Sequence, residues 1–287
     1  MYKKRVRIFK IMDLYEVLLN IKNKKELRNL SEDFLYNLLI RELKSRKNIF
    51  EKIEKAKNFK ELKRDEEFLY FFKEIRRKIH ETFGVFAPKD LRRIYKILYE
   101  DLSLEEKIIE ILMLSLSTKE RLNFYKEIYK KIFLEDPVEI MDLASGLNPI
   151  SIFFSDKKPK RYFFVDISED IIDINYTILK QLNIEPIGYC SDISNFNKDF
   201  LKRKYQYIFL WKTIPILEKI DKKLPINLLS ILDFDYIVIS FPQKSLGKIK
   251  KLGLAWRYWI KKVAKKLNYK IIEEFDIPYE FFIILSK

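Results

Sequence analysis

The 287-residue sequence has one cysteine, Cys190, and one histidine, His80. One cysteine excludes an internal disulfide framework and any zinc site built on cysteines. One histidine removes the ordinary His-rich metal centre, and His80 itself reads as a packed or hydrogen-bonded helix residue, so no metal is expected. Glycine is scarce at five residues, and neither a G-x-G-x-x-G turn nor a Walker loop is present. No apolar run approaches the roughly 18–20 residues that a membrane span needs. The N-terminus, MYKKRVRIFK, is basic but lacks the apolar core and small-residue cleavage site of a signal peptide. A cytoplasmic, reducing setting without a membrane partner is expected.

What is present is hydrophobic content of 48% beside 34% charged residues, the balance of a globular chain. The length suits one large domain or two ordinary ones. Lysine and arginine number 57 against 42 acids, a net charge of +15, which favours a polyanionic partner. Residues 1–135 carry +10 of this and the remainder +5. A Lys/Glu-rich, thermophile-like surface with a basic bias is the plainer reading of the same numbers.

The pattern divides the chain in two, at 1–135 and 136–287. The first part reads as helices. In LSEDFLYNLLIRELK, Leu30, Phe34, Leu35, Leu38 and Leu39 fall at helical spacing behind Ser31 as N-cap. DEEFLYFFKEIRRKIHETFG follows suit and is expected to stop at Gly84. Basic clusters at KKRVR, RELKSRK and EIRRKIH suggest a docking surface, although a charge run on a helix is usually a solvated face. After Pro137 the period changes. VEIMDL, RYFFVDI, EPIGYC, YQYIFLW, DYIVISF, KIIEEFD and EFFIILS read as strands, the first six separated by helical stretches. Alternating β and α predicts a parallel sheet covered on both faces. The last two runs are joined only by IP and must form an antiparallel hairpin. The expected fold class is therefore α/β: a Rossmann-like seven-stranded sheet of the class I S-adenosylmethionine (SAM)-dependent methyltransferase type, preceded by an all-helical domain. Ligands in such sheets bind at the carboxyl ends of the strands.

In that frame VEIMDLASGLNP places Asp142 at the first strand tip, with a turn in which Ala144 and Gly146 let the backbone approach a ligand. Asp166 ends the second strand and Asp192 follows the third. An acid after the second strand can accept both ribose hydroxyls of a nucleoside, and one after the third can accept from an adenine amine. Ile167 and Ile193, each following its acid, are counted with the pocket. An acidic, loop-lined pocket suits SAM, with its adenosine and positive sulfonium; a pyrophosphate would want a glycine nest and a helix N-terminus. Each aspartate alone is more often an N-cap than a ligand; three at successive strand tips make the stronger signal.

DLASGLNP resembles the motif of the 16S rRNA guanine-N7 methyltransferases that confer aminoglycoside resistance, with Ser145 in place of the usual cysteine. LSTKERL (116–122), LWKTIPILE (210–218) and VISFPQKSLGK (238–248) are similar to further segments of that family, and RRKIHETFGVF (76–86) more weakly so. The likeness runs from about residue 76 to the end. It implies SAM as cofactor, the small ribosomal subunit and its 16S rRNA as partner, and a monomer. It implies that Arg121 clamps the SAM carboxylate, with the helical half as a lid, and that Lys212 positions the target base. Guanine N7 has a lone pair and no proton to lose, so no general base is expected. Lys244, Ser245 and Lys248 are the expected RNA contacts, whereas Trp256 and Trp259 fall at core spacing on a helix. Phe86 stands where the family often has tyrosine. Methylation of another RNA or rRNA position, a catalytically silent RNA-binding or ribosome-assembly protein, and a housekeeping rather than a resistance role remain open at this point.

Overall fold

The computed structural model describes residues 14–24, 27–80, 88, 90–245, 248–251 and 253–287, with the backbone alone between 244 and 253. Gly84, Phe86 and the KKRVR cluster lie outside the described residues. Contacts divide the chain into two compact units, residues 1–85 with 167–169, and 86–166 with 170–287. The boundary expected at 135/136 from the change of hydrophobic period falls instead at 85/86. The reason is packing: the helices between the two positions have the same core as the sheet.

The first unit holds α1 (14–22), α2 (Glu32–Leu43), α3 (Lys47–Lys55), α4 (Phe59–Leu62) and α5 (Glu66–Ile79). Ser31 caps α2 as expected, accepting from the Phe34 N–H. Asp65 does the same for α5 through Phe68. α5 places acids in its first turn and Arg76, Arg77 and Lys78 in its last, in accord with the helix dipole. Its Phe68, Phe71, Phe72, Ile75 and Ile79 follow the helical period and are buried, with Phe59 set edge-on to Phe68 and Phe72.

In the second unit, α6 (Leu91–Tyr99), α7 (Leu104–Met113), α8 (Leu116–Arg121) and α9 (Tyr125–Ile132) precede the sheet. The strands are β1 (Glu139–Leu143), β2 (Arg161–Asp166), β3 (Glu185–Cys190), β4 (Lys204–Trp211) and β5 (Asp233–Pro242), then the small pair β6 (Lys244–Ser245) and β7 (Lys248–Lys251), then β8 (Lys270–Ile277) and β9 (Glu280–Ser286). The seven-stranded sheet has the order β3-β2-β1-β4-β5-β9-β8. β1 to β5 are parallel, while β9 runs antiparallel to both β5 and β8. This is the class I methyltransferase sheet, and each expected strand run is a strand in it. α10 (Glu169–Gln181), α11 (Ile214–Ile220), α12 (Leu224–Ile231) and α13 (Gly253–Lys266) complete the chain.

Side-chain alternation splits the core between the two faces. Tyr207, Phe209 and Trp211 of β4 lie in one cluster with Ile94, Ile111, Tyr129 and Ile132 of α6, α7 and α9. Ile208 and Leu210 lie in the other, with Leu228 of α12 and Ile260 and Val263 of α13. Sharing of the first cluster is what draws residues 86–135 into the second unit. The β1–β2 connection departs from expectation: it is a 3-10 helix, Asn148–Phe154, with Pro149 in its first turn. Gly188 in β3 is required by close approach, since a Cβ there would meet Ile172 Cγ2 at 2.7 Å.

Candidate active site

β1 delivers Asp142 to the carboxyl edge of the sheet with 1% of its surface exposed. Asp142 Oδ2 accepts from Asn148 Nδ2 at 2.7 Å and from the Tyr162 hydroxyl at 3.1 Å. Burial pushes its carboxyl up to about 7, against the opposing pull of those two donors. The chain then turns through left-handed residues, Ala144 at φ 55° and Gly146 at φ 52°. Glycine adopts this freely; at Ala144 it is strained.

Hydrogen bonds tie this turn to its neighbours. Ser145 N–H donates to the Val165 carbonyl at 2.9 Å, and Gly146 N–H to Asp166 Oδ2 at 2.9 Å. Asn175 Nδ2 of α10 donates to the Gly146 carbonyl at 2.8 Å. Ser191 N–H donates to the Asp166 carbonyl at 2.9 Å. The tips of β1, β2 and β3 thus form one ledge carrying Asp142, Ala144, Gly146, Asp166 and Asp192. Asp192 also organises its own turn, accepting from Ser194 N–H and Oγ, each at 2.8 Å. Ile193 is buried in the second core cluster. Ile167 belongs by its contacts to the first unit, where it packs against the helical core.

The chemistry of this ledge fits adenosine. Carboxylates at 166 and 192 match hydroxyl and amine donors, and the tight turn at 144–146 admits close approach. Nothing in it offers the run of backbone N–H groups that a pyrophosphate needs. Among the described residues, no group of His, Cys, Asp and Glu is arranged to hold a metal.

Beside the ledge lies a buried ion network whose centre the sequence did not reveal. Arg121, at the end of α8, is 2% exposed. Its Nε and Nη2 donate to Glu280 Oε2 and Oε1, each at 2.9 Å. The guanidinium edge expected to hold the SAM carboxylate is therefore engaged by a carboxylate of the chain itself. Nη1 faces Asn148 Oδ1 at 3.5 Å, and the guanidinium carbon stands 4.9 Å from the Trp211 ring centre. Lys212 follows β4 in a left-handed conformation, φ 57°, with its N–H directed to Ser240 Oγ at 3.0 Å. Its Nζ reaches Glu120 Oε2 at 2.6 Å and Glu280 Oε2 at 3.3 Å. Glu280, fully buried at the start of β9, also accepts from Ser240 Oγ. Burial would raise the Glu280 carboxyl, but Arg121 and Lys212 outweigh it and hold it below the usual range. Burial would likewise lower the Arg121 guanidinium, and Glu280 reverses that and keeps it charged.

Glu280, Glu120, Asn148, Tyr162 and Ser240 were not singled out as site residues. The available signal was an acid opening an otherwise apolar strand, EFFIILS, since a charge is buried only when paired. The backbone of Lys244, Ser245 and Lys248 forms the β6–β7 hairpin, whereas their side chains lie outside the described residues.

Asp142 gives a pH prediction. Its folded pKa, about 7, lies above the 3.8 of an ordinary aspartate, so the folded state binds the extra proton between these values and loses stability as pH rises through them. Asp142→Asn removes that dependence. Thermal melts should show the variant gaining on the wild type from pH 5 to pH 8; a constant difference across that range would contradict the buried-carboxyl assignment.

Residues 74–262 match the model of the ribosomal RNA methyltransferase (FmrO) family. The chain belongs to that family. The matched span contains α6 to α9, the acidic ledge, Lys212 and most of α13. The chain is 27% identical over 193 residues to the 16S rRNA (guanine(1405)-N(7))-methyltransferase of Micromonospora echinospora, covering 62% of this chain and 69% of that one. It is 25% identical over 237 residues to the enzyme of that name from Proteus mirabilis, covering 75% and 83%. The solved structure of the 16S rRNA methyltransferase RmtF in complex with S-adenosyl-L-homocysteine superposes with a TM-score of 0.72 over 94% of this chain and 96% of that one, at 18% identity, a likeness of fold. The rRNA methyltransferase family thus accounts for the sheet order and for the quoted motifs together.

Proposed function

We propose that this family member transfers a methyl group from SAM to N7 of a guanine in the decoding region of 16S rRNA, acting on the small ribosomal subunit as a cytoplasmic monomer. The observation that carries the reading is the coincidence, within the family-matched span, of an adenosine-suited ledge and a buried lysine at the tip of the next strand in the sheet. SAM supplies a methyl carbon made electrophilic by its sulfonium. Asp166 is assigned to the ribose hydroxyls and Asp192 to the adenine amine, while Asp142, Ala144 and Gly146 shape the turn between them. Arg121 would meet the cofactor carboxylate through Nη1, the nitrogen that Glu280 does not take. Lys212 holds the target base in line. The N7 lone pair forms the new N–C bond as the C–S bond breaks, so no residue need remove a proton, and rate follows from alignment and exclusion of water.

Two experiments test this. Methyl transfer from labelled SAM should proceed on intact small subunits and much less on naked 16S rRNA; equal transfer to unrelated RNAs would contradict the assignment. Lys212→Met, which keeps the aliphatic stem, should lower the single-turnover rate by about 10- to 100-fold, the scale on which misplaced reacting groups cost rate. SAM affinity measured by calorimetry should stay within about twofold. An unchanged single-turnover rate would return Lys212 to a purely structural part in the ion network.

A further inference from the structure

The positive charge of residues 136–287 is concentrated in one segment. Between Asp235 and Glu273 lie 37 residues with ten lysines and arginines and no acid. That segment alone carries +10, while residues 136–287 together carry only +5, so the rest of that half is net acidic. In the first unit, several of the described cations are answered by acids of the same unit. Arg46 pairs with Glu74 at 2.8 Å, Lys78 with Glu42 at 2.5 Å, and Lys52 with Asp65 and Glu67, each at 2.7 Å.

α13 displays the described cationic side chains of the basic segment, apart from Lys270 at the start of β8. Its inner face packs Ile260, Val263 and Ala264 into the core, with Trp256 stacked on Phe241 at 5.2 Å. One flank is neutralised by β8: Arg257 pairs with Asp276, and Lys261 with Glu274 at 2.8 Å. The outer face is different. Leu254 and Tyr258 are 68% and 73% exposed, and Lys262, Lys265 and Lys266 continue the same helical stripe, all exposed. Among the described residues no carboxylate pairs with these three lysines. An acid-free row of cations behind an exposed aromatic ring is the pattern that binds a flexible polyanion bearing flat bases.

We propose that the outer face of α13 docks the RNA substrate, with phosphates on Lys262, Lys265 and Lys266 and an unpaired base stacked on Tyr258. The proposal rests on the RNA-substrate reading above and extends it to a helix face that carries none of the residues assigned there. Phosphate contacts supply salt-dependent affinity, because each releases counterions. Stacking on tyrosine supplies affinity without reading sequence, because every base has a π-face.

The test uses the full chain and three variants: Lys262→Glu/Lys265→Glu/Lys266→Glu, Tyr258→Ala and Tyr258→Phe. Small-subunit affinity is measured across a salt series, with SAM affinity and thermal melts in parallel. The triple variant should raise the subunit Kd at least about tenfold and flatten the log Kd–log salt slope by about 2–3, near 0.7–0.9 for each phosphate no longer neutralised. Tyr258→Ala should raise Kd about fivefold or more at an unchanged slope, and Tyr258→Phe should match the wild type. SAM affinity and melting should not move. Unchanged subunit affinity and slope in the triple variant would overturn the proposal. So would loss of binding to anionic phospholipid vesicles with subunit binding intact, which would mark a membrane surface instead. Wild-type methyl transfer, run alongside, keeps the claims apart: an active wild type with an unaffected triple variant defeats the docking face alone, whereas an inactive wild type defeats the reading beneath it.

Discussion

Glu280→Ala is expected to destabilise the protein by about 3–5 kcal/mol, the cost of removing one partner from a buried ion pair. Glu280 is fully buried, and it answers Arg121 through two 2.9 Å hydrogen bonds and Lys212 at 3.3 Å. Without it the Arg121 guanidinium is left in the core with neutral neighbours, Asn148, the Tyr125 hydroxyl and the Trp211 ring. Urea denaturation measures the loss. Glu280→Gln, which keeps shape and one acceptor, should lose less. Because the folded pKa of Glu280 is depressed, its contribution is fully present above the ordinary carboxylate range and is lost as pH falls below it, so the gap between wild type and Glu280→Ala should narrow in acid. Glu280→Leu combined with Arg121→Met should recover part of the stability, since removing both charges removes the orphan. A Glu280→Ala protein within about 1 kcal/mol of wild type would show that the network is not closed as described.

Asp166→Ala should weaken SAM binding by about 1–3 kcal/mol, roughly 5- to 150-fold in Kd. Two losses add. The proposed acceptor for the ribose hydroxyls goes, and so does the carboxylate that holds the Gly146 N–H at 2.9 Å and with it the left-handed turn. Asp166→Asn keeps an acceptor oxygen and should fall between. Calorimetry on the folded variants decides, and unchanged affinity would remove the pocket as assigned.

Much of the fold is legible in the sequence itself. Runs such as RYFFVDI and EFFIILS, rich in aromatic and β-branched residues, can bury both faces only as strands of a covered sheet, and all seven became one. Asp142, Asp166 and Asp192 were readable as strand-tip acids because each follows such a run. Less visible was anything set by contacts between distant positions. Glu280 meets Arg121 across 159 positions, and no local pattern marks that pair. Helices α6 to α9 have the same period as α1 to α5, so only packing against Tyr207, Phe209 and Trp211 reveals which unit they join. The helical stretch expected between β1 and β2 is a 3-10 helix, NPISIFF, and no local pattern distinguishes it from an α-helix. The left-handed backbone at Lys212 was hidden as well, because a lysine gives no sign of φ 57°. Strain of that kind is sustained by its surroundings, here the Ser240 contacts to its N–H.

Methylation of guanine N7 in the small subunit is read out in the nucleoside it forms. Small subunits incubated with the protein and isotopically labelled SAM are digested to nucleosides, and the labelled product is identified by mass spectrometry and mapped on 16S rRNA. The expected product is 7-methylguanosine at a single decoding-region guanine. Label recovered instead on an exocyclic amine, on adenine N1 or on a ribose hydroxyl would contradict it, because each of those sites must shed a proton or lies on a different base, and this site was assigned without a general base.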